Sequence, residues 1–137
     1  MPGEARYNDC GTVNGLLPGG TVLNNPDLLR GALEPVVLEL IAGGASYGYE
    51  IVRAVQQASQ GELLAQEGTL YPALHRLEKR GYLRAEWKDS PEGRRRKHYR
   101  LTAEGRRHLE GLRQEWAAFS RTVNRILGTA CVGLAAT

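Results

Sequence analysis

Basic side chains are concentrated in one stretch of this 137-residue chain. Between Arg76 and Arg107 the sequence contains twelve basic and five acidic residues, a net charge of +7. The rest of the chain contains six basic and ten acidic residues, so the overall charge of +3 conceals this asymmetry. Clustered Lys and Arg side chains bind polyanions, and nucleic acid is the first candidate. The alternative explanation is a solvated charged surface, and the surrounding elements decide between the two.

Residues that perform catalysis or bind metals form no recognisable set in this sequence. No Ser/His/Asp or Cys/His combination indicates a nucleophile, and we expect no enzyme activity, no metal and no cofactor. Cys10 and Cys131 lie near opposite ends of the chain. We expect two free thiols, with a disulfide between them as the alternative. The histidines lack the spacing of a metal site: His75, His98 and His108.

The composition is that of an ordinary globular domain, with 42% hydrophobic and 24% charged residues. The length favours one domain. No uncharged apolar run approaches the ~18 residues of a membrane span. The N-terminal residues contain no apolar signal core, so we expect a cytoplasmic protein that does not contact membranes.

The first half of the chain predicts an irregular N-terminal arm over residues 1–26, followed by two helices. Apolar spacing predicts a helix over 28–41, in which Pro35 belongs in a first turn or at a kink. A second helix is predicted from 47 to about 58, with Ser46 as its N-cap. Its inward residues are Ile51, Val52 and Val55.

A third helix is predicted over 68–80. Pro72 is tolerated there only early in the helix. Gly81 is well placed as a left-handed C-terminal cap, with basic residues before it that suit the helix dipole. A buried stripe recurs at spacings of four and three residues: Leu70, Leu74 and Leu77.

The pattern then changes to that of a β-hairpin. Residues 82–88 and 97–101 have strand character, and the turn composition of 89–93 separates them. The loop between these strands carries Arg94, Arg95, Arg96 and Lys97. Three helices followed by a hairpin with a basic tip predict a mainly α-helical winged helix-turn-helix, with its DNA-binding domain at 27–101.

The last predicted helix is the longest, beginning after the N-cap Thr102 and ending near Leu127. We expect 102–128 to be a dimerisation helix and 129–137 a flexible tail. Its first half is expected to pack on its own domain and its second half against a second copy of the chain. Apolar residues recur along it at heptad spacing: Leu109, Leu112, Trp116, Phe119, Val123 and Ile126.

Three blocks of sequence carry a family signature: YGYEI at 47–51, GTLYPALHRLE at 68–78 and RRKHYRLT at 95–102, followed by Gly105. Together they resemble the PadR family of transcriptional regulators over about residues 29–127, in order and with compatible spacing. The GTLYPAL block is the specific part, whereas Leu-Thr-x-x-Gly is shared by many winged-helix proteins.

The single C-terminal helix resembles the short PadR subgroup. GEL at 61–63 and EW at 115–116 are similar to the multidrug-sensing members of that subgroup. This resemblance implies a repressor that binds DNA as a homodimer and responds to a small molecule. A homodimer would bind a pseudo-palindromic operator, with its recognition helices ~34 Å apart.

In a helix-turn-helix the second helix of the motif enters the major groove, and here that is the third helix of the chain. Tyr71 has helix packing as an alternative role. The basic wing would lie against the backbone or in the minor groove, and strand alternation leaves two or three of its residues in contact. The predicted DNA-binding residues are Thr69, Tyr71, Pro72, His75, Arg76, Lys79, Arg94, Arg95, Arg96 and Lys97.

Trp116 is the candidate effector-binding residue. Paired with its copy at a dimer interface, it would line an apolar slot for planar or cationic molecules; the alternative is that it only fills the interface. Two other functional hypotheses stay open. One is a redox- or metal-responsive regulator that uses Cys10 and Cys131. The other is a winged helix whose basic wing binds an acidic protein.

Overall fold

The computed structural model describes residues 26–129, which form four helices and one antiparallel hairpin. We number the elements in chain order. They are α1 (Pro26–Ala42), α2 (Gly48–Ala58), α3 (Glu67–Lys79), β1 (Leu83–Asp89), β2 (Arg95–Leu101) and α4 (Ala103–Leu127).

The core lies where α1, α2 and α3 meet the base of the hairpin and the start of α4. The predicted stripe of α3 is fully buried there, as is Ile51 of α2. Val55 is buried as well, whereas Val52 is only half-buried. The fold is the predicted one, a mainly helical winged helix-turn-helix followed by a long helix. The largest buried side chains are Val37, Leu38, Ile51, Val55, Leu70, Leu74 and Leu77.

Helix α1 begins two residues earlier than predicted and contains Pro35. Pro26 is the first residue of the helix, where a missing backbone N–H costs no intrahelical bond. Pro35 lies in the helix interior. Of the two predicted positions, a first turn or a kink, the first-turn position is therefore wrong. The helix is held by the buried Leu33, Val37 and Leu38 around this proline, and tertiary packing offsets the lost hydrogen bond.

The predicted N-cap of α2 is also wrong. The N-cap is Tyr47, and no side chain caps the helix at that position. Ser46 lies one residue earlier, and its hydroxyl donates to Glu50 Oε1 at 3.1 Å and contacts His98 Nδ1 at 2.8 Å. Its backbone N–H also donates to Glu50 Oε1, at 3.0 Å. Ser46 thus joins α2 to the wing.

The end of α3 follows the prediction. Gly81 has a φ of 87°, in the left-handed region where glycine carries no steric penalty. Its N–H donates to the Glu78 carbonyl, and the Tyr82 N–H donates to the Leu77 carbonyl. These two bonds form a Schellman motif, which ends the helix and turns the chain into β1. Pro72 is the sixth residue of α3, in the second turn.

The hairpin is longer than predicted on its second side. β2 begins at Arg95, so Arg95 and Arg96 lie in the strand, and only Arg94 of the basic run lies in the turn. The register pairs Leu83 with Leu101, Ala85 with Tyr99 and Asp89 with Arg95. The turn is closed by bonds between Ser90 and Arg94. The additional strand pairs, Lys88 with Arg96 and Asp89 with Arg95, fix the side chains of Arg95 and Arg96 on opposite faces of the hairpin.

Helix α4 has the predicted limits. Thr102 caps it, since its hydroxyl oxygen accepts a bond from the Gly105 N–H at 2.9 Å. The 25 residues span about 38 Å. Leu109 is buried in the core and Leu112 packs against it, which confirms that the first half of the helix docks on its own domain.

Several predictions fall outside the described residues: most of the arm at 1–26, most of the tail at 129–137, and both cysteines. Within residues 26–129 there is no group of three or more His, Cys, Asp or Glu side chains that would hold a metal ion. No helix in the same range is long and apolar enough to span a bilayer.

Candidate nucleic-acid interface

Helix α3 exposes one face along its whole length. Its core stripe points inward, so the remaining side chains of the amphipathic helix face solvent. Arg76 and Lys79 take part in none of the ion pairs formed within the described part of the chain. Glu67 and Gly68 of the first turn are exposed. All the α3 residues predicted to contact DNA are exposed as well: Thr69, Tyr71, Pro72, His75, Arg76 and Lys79.

Tyr71 packs on the start of α2 and is also partly exposed. Its ring lies over the start of α2, where a Cβ on Gly48 would come within 2.5 Å of the Tyr71 hydroxyl oxygen. The side chain nevertheless remains 46% exposed. Burial, together with the charge of Glu67, raises the pKa of the Tyr71 hydroxyl, which therefore stays a neutral hydrogen-bond donor at physiological pH.

Of the four basic residues from Arg94 to Lys97, Arg94 and Arg95 are the exposed ones. Arg94 lies in the turn, and Arg95 follows it at the start of β2. The Arg95 guanidinium lies 5.7 Å from the centroid of the Trp87 ring, and its Nε is 4.0 Å from Asp89. Asp89 is largely exposed, so this ion pair holds Arg95 only weakly.

Arg96 and Lys97 point back onto the protein. Arg96 forms a 2.9 Å ion pair with Glu92, and its guanidinium lies over the Tyr47 ring, 4.5 Å from the centroid. The Lys97 ammonium donates to Glu78 of α3 at 3.0 Å, and this bond raises the pKa of Lys97 despite the opposing effect of burial. Lys97 thus links the wing to the recognition helix, a contact that spans nineteen residues of sequence.

These elements enclose a cleft of about 720 Å³ between α3 and the wing. Tyr71 and His75 line it from α3, and Tyr47 and Tyr49 line it from the start of α2. No acidic residue lines the cleft, whereas four basic residues and Trp87 do. Aromatic rings and cations are the groups that contact sugars and phosphates of nucleic acids, and of these cations only Arg94 forms no ion pair within residues 26–129. The basic residues are Arg94, Arg95, Arg96 and Lys97.

A polar network fixes the far side of this cleft. His98 of β2 contacts the Ser46 hydroxyl, and its ring packs on Tyr47 with centroids 5.2 Å apart. Burial by itself raises the pKa of Glu50, but hydrogen bonds from Ser46 and the Tyr47 backbone, together with the charge of His98, lower it overall. Glu50 is therefore an ionised acceptor that orients Ser46 and, through it, the wing.

Sequence reasoning missed a second group of basic residues. Arg84 and Arg100 are directly opposite each other in the hairpin, and Arg106 joins them around a 380 Å³ pocket at the start of α4. None of the three forms an ion pair within residues 26–129. The sequence signal was the strand alternation, but the pairing of Arg84 with Arg100 follows only from the register.

The apolar residues of α4 separate into two groups. Leu109 and Leu112 belong to the core, and Val123 is half-buried. Trp116, Phe119 and Ile126 are 44%, 59% and 76% exposed. The Trp116 and Phe119 rings lie 5.9 Å apart and form one exposed aromatic patch. Such large side chains in a row on one helix face are typical of an interface.

Comparison with known proteins identifies relatives of this chain. A model of the PadR-like family of transcriptional regulators matches residues 37–111. An uncharacterised protein of Lysinibacillus sphaericus is 35% identical over 98 residues, which cover 72% of this chain and 90% of that protein. The transcriptional regulator YqjI of Escherichia coli is 26% identical over 106 residues, and the match covers about half of YqjI, 47%.

Solved structures agree with the sequence match. A transcriptional regulator from Clostridium thermocellum is 33% identical with a TM-score of 0.66, and the match covers 72% of this chain and 96% of that one. A PadR-like regulator from Bacillus cereus is 34% identical with a TM-score of 0.63, over 76% and 99% of the two chains. The chain therefore belongs to the PadR-like family of transcriptional regulators, whose members regulate transcription and are not enzymes.

Proposed function

We propose that the protein is a homodimeric repressor that binds a pseudo-palindromic operator and is released by a small-molecule effector. The observation that carries the DNA-binding part is the cleft between α3 and the wing, which is lined by four basic residues and no acidic one. Its positive potential attracts the phosphate backbone, and it adjoins the exposed face of α3.

Recognition of the operator is assigned to the N-terminal part of α3, which enters the major groove. Thr69 and Tyr71 bind phosphate or a base edge, and Pro72 packs on a thymine methyl group. His75 and Arg76 reach a guanine edge or a phosphate, and both side chains are exposed. Lys79, nearer the end of the helix, binds the backbone.

The wing supplies contacts that carry little sequence information. Arg94 and Arg95 are exposed and bind phosphates or the minor groove. Arg96 and Lys97 contribute mainly by positioning, because Glu92 and Glu78 already hold their charges. This division agrees with two or three wing contacts for each subunit.

Dimerisation is assigned to the exposed half of α4. The last ion pair between this helix and α1 joins Arg113 to Glu39, and the helix continues for fourteen residues beyond it. A second copy of α4 would cover the exposed aromatic patch and Ile126 by heptad packing. Two copies of the recognition helix then lie about one turn of DNA apart, ~34 Å.

The effector site is assigned to Trp116 and its copy across the dimer interface. The ring is partly exposed and adjoins Phe119, which supports an apolar slot for a planar or cationic molecule. For release, the effector has to bind one separation of the two recognition helices better than another.

The DNA-binding function is tested with duplex DNA that the wild-type protein enriches from a random library. With about six phosphate contacts in a dimer, affinity falls by ~10³ between 50 and 200 mM salt. The measurement is fluorescence anisotropy of labelled duplexes over that salt range. A flat salt response, or a failure to enrich any sequence, would reject DNA binding and favour a wing that binds an acidic protein.

Tryptophan fluorescence tests the effector site. Planar cationic dyes should quench the tryptophan fluorescence of the wild-type protein. The Trp116→Ala variant should lose this quenching. Trp87 lies in the cleft and also fluoresces, so a Trp87→Phe variant serves as the control. The dyes should still quench the fluorescence of this variant. Equal quenching of wild type and Trp116→Ala would leave Trp116 as an interface residue only.

A further inference from the structure

A compact cluster joins the end of the recognition helix to α4. Tyr82 follows the Gly81 cap of α3, and its ring stacks on the His108 ring of α4 with centroids 3.9 Å apart and planes 5° from parallel. The guanidinium of Arg80, the C-cap residue of α3, lies 5.2 Å from the centroid of the same ring. The contact therefore runs from α3, through Tyr82, directly to the long helix.

Glu34 of α1 closes the cluster. One of its carboxylate oxygens bonds His108 Nε2 at 2.7 Å, and the other lies 3.6 Å from Arg80 Nη1. We call Glu34, Arg80, Tyr82 and His108 the Tyr82 cluster. Three helices thus meet at one aromatic ring and one carboxylate.

Backbone contacts support the same junction. The Thr102 hydroxyl donates to the Gly81 carbonyl at 2.7 Å, and the Thr102 N–H donates to the Tyr82 carbonyl at 3.1 Å. At Gly105 a side chain has no room, because a Cβ there would collide with the Tyr82 carbonyl oxygen. The start of α4 therefore packs directly on Gly81 and Tyr82, the residues that follow α3.

The composition of the cluster indicates a positioning role. The Arg80–Glu34 pair is partly exposed, and such pairs contribute little to stability. Hydrogen bonds and ring stacking are directional, however, and they define an orientation that interchangeable apolar side chains do not.

We propose that the Tyr82 cluster fixes the angle between α3 and α4 and thereby sets the half-site spacing that the dimer accepts. The proposal rests on the function proposed above. The cluster lies at the C-terminal end of α3, whose 13 residues extend about 20 Å away from it. A rotation of about 10° at the cluster therefore displaces the N-terminal end of the recognition helix by about 3 Å, close to one base-pair step along DNA. The residues of the cluster act on DNA through α3 and do not touch it themselves.

The test uses operators enriched by the full-length wild-type protein and resynthesised with one base pair added or removed between the half-sites. Wild type should bind the original spacing about tenfold more tightly than either neighbour. His108→Leu and Tyr82→Leu should reduce this preference below about threefold while leaving the salt dependence of binding unchanged. Tyr82→Phe keeps the ring and should behave as wild type.

Arg113→Gln is the matched control, because it removes another ion pair between α4 and α1 outside the cluster. It should retain the tenfold preference. If His108→Leu has the circular dichroism spectrum of wild type and also retains the preference, the proposal is wrong and the cluster only stabilises the fold. Should Tyr82→Leu fail to fold, His108→Leu decides alone. If the wild-type protein enriches no sequence, the proposed function and this proposal both fail. An unaltered spacing preference in His108→Leu rejects only the proposal about the cluster.

Discussion

At the scale of single residues, Arg76 allows the proposed DNA recognition by α3 to be tested without disturbing the fold. The residue is exposed and forms no ion pair within residues 26–129, so its removal should leave folding intact. Arg76→Gln should weaken binding to the enriched operator by about 1–3 kcal/mol and relax sequence preference at one position of each half-site. Anisotropy titrations against a panel of single-base operator variants measure both effects.

Arg121→Gln is the charge-matched control for that variant. Arg121 is exposed on α4 and does not belong to its apolar row, so operator affinity should stay near the wild-type value. A uniform loss with Arg76→Gln across all operator variants would assign Arg76 to a phosphate and leave base recognition to other residues of α3.

Glu50 gives the fold a dependence on acid pH. Because folding lowers the pKa of Glu50, the folded state releases this proton more readily than the unfolded chain does. The resulting stabilisation is fully present above the ordinary pKa of 4.5 and disappears as the pH falls through the lower folded value. Glu50→Gln should cost about 1 kcal/mol at pH 7, roughly 3 °C in Tm, and less toward pH 3. Thermal melts across this pH range provide the measurement; a difference that grows toward acid would contradict it.

Sequence reasoning succeeded for side chains whose partners are close in the chain and failed where they are distant. The Thr102 cap and the Gly81 turn depend on neighbours within a few residues, and both are present as predicted. Ser46 looked like an N-cap by the same logic, but His98, fifty-two residues away, holds it elsewhere. Lys97 looked like a free cation because Glu78 is not its neighbour in sequence. Local patterns contain no information about such partners.

At the scale of elements, two arginines of the hairpin repel each other, which indicates that their charge serves a function other than stability. Arg84 and Arg100 are direct cross-strand neighbours, and like charges in that arrangement are destabilising. Replacing both with Gln should raise stability by about 0.2–1 kcal/mol, which thermal melts detect as a small increase in Tm. Operator affinity should fall more at 50 mM than at 200 mM salt, because the local positive potential decreases.

Arg94→Gln is the matched control for the hairpin, since Arg94 lies in the turn and has no cross-strand arginine opposite it. It should leave Tm unchanged. If the double variant is less stable than wild type, these arginines make contacts that outweigh their mutual repulsion.

The order of elements was predictable, and their limits were less so. The spacing of apolar residues indicated four helices and a hairpin, and the four helices and the hairpin are all present. The sequence placed the first helix two residues late and the second strand two residues late, because Pro26 and the basic run look like loop composition. Helix packing overrides the Pro35 signal inside α1, and ladder pairing with Lys88 and Asp89 extends β2 toward the wing tip.

At the scale of the whole molecule, the charge asymmetry of the sequence becomes a division between surfaces. Basic residues gather at the cleft and at the base of the hairpin, whereas Glu34, Glu39 and Glu110 lie among α1 and α4. Those carboxylates are partly consumed in binding His108 and Arg113. These ion pairs leave little unpaired charge at the contact between α1 and α4, so Arg84 and Arg100 of the hairpin, which form no ion pair within the described part of the chain, stand out on the surface.

The proposed homodimer is also tested at the scale of the whole molecule. Phe119 and Ile126 remain exposed, although apolar rows of this kind are covered in stable proteins. Phe119→Glu combined with Ile126→Glu should convert the dimer to a monomer, because dimerisation would bury two unpaired carboxylates in each subunit. Sedimentation at micromolar concentration gives the mass. Affinity for the full operator should fall about 10²-fold or more, since two linked half-site contacts become one, whereas affinity for an isolated half-site should stay unchanged. Arg121→Gln, on the same helix outside the apolar row, should remain dimeric. A double variant that keeps its dimeric mass would show that another surface joins the subunits.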